Sequence, residues 1–334
     1  MAREAAELNG DGIAAELRDS VHAVNDALGR PLEFQPVDWS VERREADPTS
    51  LDEGVDAVST LGIAMKYPTV TKTVSPNQVL RDRCGMAVIH RPCRSYPGVS
   101  KNYCGELDLH VVRVATGGTY EDAGHRIGYH SAVSVRIMER TPVEHAAHFA
   151  FRLAERTGGS VVSSSKYTIQ RAADGLFEEI VDEVAKCFPD IEHRRELFDA
   201  LLAKMILGPE RFDVVVTPNE YGDFLSDAAY GLIGSIGLGA SATYAFTPDH
   251  VPRIGVFDPA GGTAPDIAGK GIANPSGALE AFGYLLEFCG DETRGTKVID
   301  AVRECIGAGE TTRDLGGALD SAGFTAAVIR RACG

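Results

Sequence analysis

The stretch Asn219-Glu-Tyr-Gly-Asp-Phe-Leu-Ser-Asp227 places Asp223 and Asp227 four residues apart, where a glycine leads the chain into a helical pattern. Side chains at that spacing lie on one face of a helix. Two neighbouring carboxylates repel each other unless a cation lies between them, and oxygen ligands suit a hard divalent ion such as Mg²⁺ or Mn²⁺. A solvated acidic helix turn, which the helix dipole favours, explains the same pattern without a metal. The stretch alone predicts a helix and leaves both interpretations of its aspartates open.

The bulk composition is that of a folded globular protein. The 334 residues are 44% apolar and 24% charged, and a chain of this length is expected to form two lobes of ordinary domain size. The net charge is −15, from 48 acidic and 33 basic residues. This balance argues against binding the phosphate backbone of nucleic acids.

The cysteines and the apolar segments indicate where the protein works. Seven cysteines are scattered without a C-x-x-C pair, so neither a zinc site nor a disulfide framework is predicted, and a reducing cytoplasm fits best. The first residues lack the apolar core of a signal peptide. The uncharged segment 228–247 is punctuated by glycines, so we expect a buried helix, a turn and a strand there, and no membrane span.

Arginines crowd one short span of this acidic chain. Arg81 lies in a predicted helix, Arg91 follows a predicted strand, and Arg113 ends another. Open α/β sheets present ligands at strand ends, and guanidinium groups pair with carboxylates in a bidentate manner. As a group, the arginines of this span predict a pocket for a polyanion, although surface salt bridges explain them equally well. The group comprises Arg81, Arg83, Arg91, Arg94 and Arg113.

Further candidate residues lie in the middle of the chain. Lys166 ends the predicted strand 160–166, where it is either a surface lysine or a general base in a cleft. Tyr120 follows a pair of glycines, and a buried, hydrogen-bonded tyrosine is the usual explanation for such a residue. Asp199 lies in a helix predicted over 195–207.

The segment 254–275 contains a candidate nucleotide loop. Gly261 and Gly262 would let the backbone approach a phosphate or a ribose closely. Asp266 could accept hydrogen bonds from ribose hydroxyls while repelling a 2′-phosphate. No G-x-G-x-x-G motif follows a strand here, so a standard Rossmann fingerprint is absent.

Several motifs together resemble the β-decarboxylating dehydrogenases, the family of isocitrate, homoisocitrate, 3-isopropylmalate and tartrate dehydrogenases. They are Gly222-Asp-Phe-Leu-Ser-Asp227, Gly262-Thr-Ala-Pro-Asp-Ile-Ala-Gly-Lys270, Ala273-Asn-Pro275, Gly10-Asp-Gly-Ile13, Arg91-Pro92 and Thr312-Arg-Asp-Leu-Gly-Gly317. They occur in the family's order and at its spacings over nearly the whole chain. The NAD-dependent, isocitrate-type branch is the most similar.

The resemblance implies a two-lobed α/β fold that differs from a Rossmann fold. Residues 1–83 and 236–334 would form the large nucleotide-binding lobe. Residues 84–235 would form a small lobe that carries the metal site, the dimer contact and an arm that reaches the other subunit. The implied assembly is a homodimer with shared active sites, and neither nucleic acid nor membrane is an expected partner.

The resemblance also implies roles for individual residues. Lys166 and Tyr120 match the catalytic lysine and tyrosine, the lysine being lent by the partner subunit. The remaining matches are the substrate-binding Ser75, Asn77, Arg81, Arg91 and Arg113, the metal ligands Asp199 (from the partner), Asp223 and Asp227, and the cofactor-binding Gly261, Gly262, Thr263, Ala264, Asp266, Ile267 and Asn274. Asp266 and Ile267 are typical of members that use NAD.

The implied reaction is the oxidation of a 2-hydroxy acid by NAD with Mg²⁺ or Mn²⁺, followed by loss of CO₂ to give a 2-oxo acid. Ser75 and Asn77 favour a malate core with a polar or anionic third arm, as in isocitrate or homoisocitrate. A specialised analogue such as 3-phosphonomethylmalate, 3-isopropylmalate or tartrate is the alternative substrate.

Four departures from the family's pattern lie near the nucleotide or the substrate's far arm. They are Val114-Ala115 after the third arginine, Thr168 after the lysine, Gly261 in the adenosine loop, and Asn9 and Ala14 around the first glycine turn. They suggest altered specificity or weaker NAD binding. They also allow a different class of function, a non-catalytic regulatory subunit of a hetero-oligomeric dehydrogenase.

Overall fold

The computed structural model describes residues 2–334 as a mixed α/β structure built on a large sheet. The strands are β1 (Arg3–Asn9), β2 (Leu32–Asp38), β3 (Ile63–Lys66), β4 (Met86–Arg94), β5 (Asp108–Val114), β6 (His125–Ile127), β7 (Ser131–Val133), β8 (Val161–Ser165), β9 (His193–Leu197), β10 (Val214–Thr217), β11 (Ala240–Phe246) and β12 (Pro252–Pro259). Short, fully buried apolar runs such as β10 are typical of strands covered on both faces.

Helices cover the sheet and fill the connections. They are α1 (Ala14–Ala27), α2 (Val41–Ala46), α3 (Ser50–Leu61), α4 (Pro76–Cys84), α5 (Arg140–Thr157), α6 (Ala173–Ala185), α7 (Phe198–Leu207), α8 (Asn219–Ile233), α9 (Ser276–Phe288), α10 (Glu292–Gly307) and α11 (Ser321–Cys333). Helix α4 shows how the sequence sets a boundary. The Ser75 hydroxyl accepts a hydrogen bond from the Gln78 amide, and Pro76 occupies the first turn, where its missing N–H costs nothing.

The ten-stranded sheet has the order β2-β1-β3-β12-β11-β4-β5-β10-β8-β9. Its first five strands come from residues 1–83 and 236–334, and its last five come from residues 84–235. The two predicted lobes thus correspond to the two halves of one sheet, although the lobe boundaries themselves stay a prediction.

The expectation that Arg91 and Arg113 lie at strand ends was wrong. Both lie inside their strands, and β4 and β5 run antiparallel, so their ends point in opposite directions. Ile89 pairs with Arg113 and Arg91 pairs with Val111. This register makes the two arginines diagonal neighbours on one face of the sheet, close enough for long side chains to act together.

One predicted helix had the wrong extent. Within 195–207, the first three residues belong to β9, which pairs with β8 in a parallel ladder, and the helix begins at Phe198. Near the end of the chain, a short 3₁₀ turn is separated from α11 because Gly316 takes a left-handed conformation with a φ of 91°. The short helix α2 had not been predicted.

The segment 228–247 forms the expected end of α8, a turn and the buried strand β11. No helix in residues 2–334 is long and apolar enough to cross a membrane. Separately from the large sheet, β6 and β7 pair as an antiparallel hairpin whose side chains are exposed. This hairpin lies within residues 84–235, the part of the chain to which the resemblance assigned an arm, and the arm itself stays a prediction.

Candidate active site

A cleft of about 250 Å³ lies where the two halves of the large sheet meet. It is lined by Lys66, Ser75, Asn77, Leu80, Arg81, Ile89, Arg91, Arg113, Tyr120, Asp223, Ser241, Thr243, Val256 and Asp258. The cleft therefore brings together the three predicted arginines, the predicted tyrosine, one predicted metal ligand and both predicted third-arm residues. Most of its lining side chains are polar or charged, which suits a small, highly charged ligand.

Asp223 is held on one side of this cleft by a dense set of donors. Arg113 donates to its Oδ1, Arg91 Nη1 donates to the same oxygen at 3.2 Å, and the Tyr120 hydroxyl donates to Oδ2 at 3.2 Å. Burial opposes ionisation of Asp223, but the two guanidinium charges outweigh it and hold the pKa of this carboxyl below its usual value. The site thus keeps Asp223 ionised.

A glycine allows this close arrangement. A Cβ atom on Gly222 would lie 2.6 Å from the Cβ of Arg113, so only glycine lets α8 approach β5 at this point. The approach sets Asp223, the next residue, beside the Arg113 guanidinium. On the other side, Asn219 Oδ1 accepts from Arg113 Nε at 2.9 Å and fixes the guanidinium plane.

The cation between Asp223 and Asp227 is a guanidinium. Arg91 Nη1 lies 3.2 Å from Asp223 Oδ1 and 3.4 Å from Asp227 Oδ1, and it donates to Ser226 Oγ at 2.7 Å. The two aspartates therefore share a helix face, as their spacing predicted. Burial raises the pKa of Asp227, and the charge of Arg91 opposes that rise. The side chain of Asp227 is still 60% exposed, so a further cation can reach it.

Arg81 differs from its two neighbours because no carboxylate or other side chain in residues 2–334 pairs with it. Burial lowers the pKa of Arg81, and nearby aspartate charges only partly offset that effect. The side chain of Asn77 makes no hydrogen bond to any other residue of 2–334. The Ser75 hydroxyl accepts a hydrogen bond from a backbone amide, and its own proton is free to be donated. Surface pairing explains Arg83 and Arg94, which bind Asp52 and Asp108. It does not explain Arg81.

The sequence interpretation missed two charged residues of the cleft, Lys66 and Asp258. Lys66 Nζ donates to Asp258 Oδ2 at 2.8 Å, and the lysine side chain is 5% exposed. A lysine that ends the buried strand β3 and an aspartate within the buried strand β12 were the available signals, because charges in such strands need a partner.

Lys166 and Asp199 form a second cluster that does not line the cleft. They are ion-paired with each other, and their side chains are 31% and 67% exposed. Lys166 follows β8, and Asp199 lies in the first turn of α7. The hydrogen bond from Lys166 lowers the pKa of Asp199. One chain thus separates the predicted site residues into two groups.

The predicted cofactor loop packs on the first glycine turn. Ile13 donates its amide to the Thr263 carbonyl at 3.0 Å, and a Cβ atom on Gly12 would meet that carbonyl oxygen at 2.0 Å. Gly262 faces open space, and the exposed Asp266 has no hydrogen-bond partner in residues 2–334. Backbone and carboxylate are therefore both accessible to a ligand.

Asn274 behaves differently from the rest of the predicted loop. Its amide donates to Asp314 Oδ2 at 2.9 Å, and its carbonyl accepts from the amide and the hydroxyl of Ser276 at the start of α9. The Asn274 side chain is thus already engaged in fixing the loop to a helix.

The profile of the family described as isocitrate/isopropylmalate dehydrogenase matches residues 4–329. The chain belongs to this family. The isocitrate/homoisocitrate dehydrogenase of Thermus thermophilus is 34% identical over 330 residues, which are 96% of each protein. The 3-isopropylmalate dehydrogenase of Archaeoglobus fulgidus is 33% identical over 318 residues, 94% of this chain and 95% of the relative.

A solved structure agrees with these relatives. The crystal structure of isocitrate dehydrogenase from Methylococcus capsulatus matches with a TM-score of 0.90 at 32% identity, over 99% of this chain and 100% of that chain. The predicted family and fold are therefore confirmed. As a member of the isocitrate/isopropylmalate dehydrogenase family, the chain is an NAD-dependent, decarboxylating oxidoreductase that acts on a small hydroxy acid.

Two of the predicted metal ligands lie on one chain and offer the donors that a divalent ion needs. Asp223 and Asp227 offer oxygen donors from adjacent helix turns, the donor type that Mg²⁺ and Mn²⁺ prefer. Throughout residues 2–334, no three His, Cys, Asp or Glu side chains come together in a way that could hold a metal. Asp223 and Asp227 thus offer part of a ligand set for a divalent ion.

Proposed function

We propose that this enzyme oxidises and decarboxylates a 2-hydroxy acid of the isocitrate or homoisocitrate type, with NAD and with Mg²⁺ or Mn²⁺. The observation that carries the proposal is the unpaired guanidinium of Arg81 beside the free donors of Ser75 and Asn77. A buried, uncompensated cation is costly unless a ligand supplies the opposite charge. The cleft therefore favours a malate core whose third arm is polar or anionic.

The chain's residues divide the chemistry among them. Arg81, Arg91 and Arg113 would bind and orient the substrate carboxylates, and the buried Nε of Arg91, which lacks a partner in residues 2–334, is one free donor for them. Lys166 would accept the proton of the 2-hydroxyl group. Tyr120, whose pKa is raised by burial and by the charge of Asp223, stays protonated and would donate a proton to the carbon that loses CO₂.

We assign the metal and NAD to different residues of the dimer. Asp223 and Asp227 of one chain, with Asp199 of the partner subunit, would hold the metal, which lowers the energy of the negative charge that develops on the substrate oxygen. Gly261, Gly262, Thr263 and Ala264 would border the adenosine of NAD with their backbone. The remaining contacts proposed for NAD are those of Asp266, Ile267 and Asn274.

We infer that the enzyme is a homodimer with shared active sites. Lys166 and Asp199 lie outside the cleft of their own chain, so a second copy has to supply them. Large apolar side chains are exposed on the hairpin, on α7 and on α8, at Ile127, Tyr129, Ile206, Leu207 and Phe224. Large apolar side chains exposed on several elements of one part of the chain support a subunit contact. Free cysteines throughout residues 2–334 support a cytoplasmic location.

A regulatory subunit is the second candidate, favoured by Val114, Ala115, Thr168 and Gly261 near the ligand sites. One relative, the "Isocitrate dehydrogenase [NAD] subunit 2, mitochondrial" of Schizosaccharomyces pombe, is 32% identical over 331 residues, 96% of this chain and 86% of that protein. Its name describes one subunit of an NAD enzyme. The complete set of Lys166, Tyr120 and the three aspartates favours catalysis here.

The experiment is an assay of the purified chain alone. NADH formation is followed with Mg²⁺ or Mn²⁺ and a panel of isocitrate, homoisocitrate, 3-phosphonomethylmalate, 3-isopropylmalate and tartrate. We expect the highest kcat/KM with a substrate that has an anionic third arm. A preference for 3-isopropylmalate would contradict the assignment of Arg81, Ser75 and Asn77, and no NADH with any compound would favour the regulatory subunit.

A further inference from the structure

A buried ion network lies between the two groups of site residues. Arg136, at the base of the hairpin, donates from Nε to Asp174 Oδ1 at 2.8 Å and is ion-paired with Glu220 through Nη1. The side chain of Arg136 is 10% exposed, Asp174 is fully buried and Glu220 is 4% exposed. One guanidinium thus joins carboxylates from α6 and α8.

One branch of the network reaches Lys166. The second oxygen of Asp174, Oδ2, accepts the backbone amide of Lys166 at 2.7 Å. This amide is where the chain leaves β8 and turns toward α6. The position of Asp174 therefore sets the direction in which the Lys166 side chain leaves the sheet.

The other branch reaches the cleft. Glu220 Oε2 accepts the amide of Thr119, the residue before Tyr120, at 3.3 Å. Glu220 also belongs to the first turn of α8, which carries Asp223 one turn later. Gly118 exchanges two backbone hydrogen bonds with Ile137, the residue after Arg136.

An aromatic contact links the same arginine to Asp199. The Arg136 guanidinium lies 4.9 Å from the ring centre of Tyr221. That ring stacks on Phe198, with centroids 4.6 Å apart, and Phe198 directly precedes Asp199. Arg136 therefore reaches the backbone of Lys166 through Asp174, and the chain neighbours of Tyr120 and Asp199 through Glu220 and Tyr221. It touches none of the reacting atoms.

We propose that Arg136, with Asp174 and Glu220, is a positioning residue that ties the Lys166–Asp199 group to the Tyr120–Asp223 group of the same chain. This inference rests on the proposed shared-site dimer, in which the two groups of one chain serve different active sites. The network then links the two active sites of the dimer through each chain. Loss of this network would leave the side chains of both groups present but displaced. We expect such a loss to lower kcat more than it raises the KM of the hydroxy acid.

A heterodimer with one live site tests the proposal. One chain carries Tyr120→Phe and donates its lysine, and the other carries Lys166→Met and donates its tyrosine; different affinity tags allow the mixed dimer to be purified. In the shared-site dimer, one site contains both functional residues and the other contains neither. We expect about half the activity of the wild-type dimer, because one of its two sites remains. Failure to recover activity would refute the shared-site dimer itself.

Arg136→Met is then introduced into only one chain at a time. In the lysine donor it disturbs the Asp174 branch, and in the tyrosine donor it disturbs the Glu220 branch. We expect either placement to lower kcat of the live site about 10- to 100-fold, with little change in the KM of the hydroxy acid. If the mixed dimer is active but Arg136→Met lowers its kcat from only one chain, or from neither, the coupling is overturned. The shared-site dimer would stand in that case.

Three variants keep this test decisive if Arg136→Met folds poorly. The triple change Arg136→Met, Asp174→Asn and Glu220→Gln removes all three charges together, which avoids leaving a buried carboxylate unpaired. Arg136→Lys retains the charge but loses the forked geometry, so we expect part of the activity to return. Arg140→Met is the matched control, since Arg140 forms exposed pairs with Glu144 and Glu183 and should leave kcat unchanged.

Discussion

The two groups of site residues differ in how completely one chain satisfies their charges. In the cleft, Asp223 is held by the buried side chain of Arg113, by Arg91 and by the more exposed Tyr120. Outside it, Lys166 and Asp199 pair only with each other and remain open to solvent. The first group is built into the fold of the chain, whereas the second is presented to another molecule. The folding free energy and the catalytic function should therefore respond differently to substitutions in the two groups.

The largest expected effect on catalysis comes from the exposed group. Lys166→Met should lower kcat about 10²- to 10⁴-fold, because a proton acceptor is lost. The free energy of unfolding should change by about 1 kcal/mol or less, since an exposed ion pair contributes little. Steady-state kinetics and thermal unfolding measure the two effects. A large drop in the unfolding temperature would mean that Lys166 supports the fold and would remove the contrast.

Arg113→Met, unlike Lys166→Met, should clearly reduce the stability of the fold. Its side chain is 4% exposed, and its loss leaves the partly buried Asp223 with only Arg91 and Tyr120 as donors. Losing this charge-assisted contact should reduce the free energy of unfolding by about 1.5–3 kcal/mol. Differential scanning calorimetry measures this loss, and activity should fall as well. Arg94→Met is the control, because Arg94 forms an exposed pair with Asp108 on the same sheet. Equal stability of the two variants would contradict the difference drawn between the groups.

Arg81→Met separates binding from folding inside the cleft. No acidic side chain in residues 2–334 pairs with Arg81, so its removal should leave stability unchanged or slightly higher. The KM of the hydroxy acid should rise about 30- to 150-fold, the effect of losing about 2–3 kcal/mol of charge-assisted binding.

A second measurement checks the same point without turnover. Isocitrate should raise the unfolding temperature of the wild-type enzyme by mass action and raise that of Arg81→Met much less. If substrate protects both proteins equally, the third-arm site lies elsewhere in the cleft.

The candidate site residues could be predicted from the sequence more fully than their arrangement in space. The four-residue spacing of Asp223 and Asp227 predicted a shared helix face, and the structure has one. The same pattern could not tell that the intervening cation in a single chain is Arg91. This arginine lies 132 residues before Asp223 and 136 before Asp227, and only the tertiary fold brings it between them. Antiparallel pairing, set by distant residues, decided where both arginines lie.

Residues proposed to position the site residues could hardly be recognised from the local sequence. Arg136 and Glu220 look like ordinary charged residues of a loop and a helix start, and only the tertiary fold buries them together. Lys66 and Asp258 gave a weak signal as charges in apolar strands. The family resemblance alone implied that Lys166 and Asp199 act in the site of the partner subunit. Composition and periodicity gave no indication of it.

The smallest expected effect concerns the nucleotide loop. Its Asp266 carboxylate is exposed, as the Lys166–Asp199 group is, and it lacks a partner in residues 2–334. Asp266→Ala should reduce the preference for NAD over NADP by about tenfold, since a hydrogen bond to a charged group contributes about 1.5–3 kcal/mol and part of it is lost to solvent. The ratio of kcat/KM values for the two cofactors measures the change, and stability should not move. Asp190→Ala, at an exposed turn position between α6 and β9, is the control. If the cofactor ratio stays constant in Asp266→Ala, the choice of cofactor is made by other residues of the loop, and the free carboxylate is an ordinary surface group.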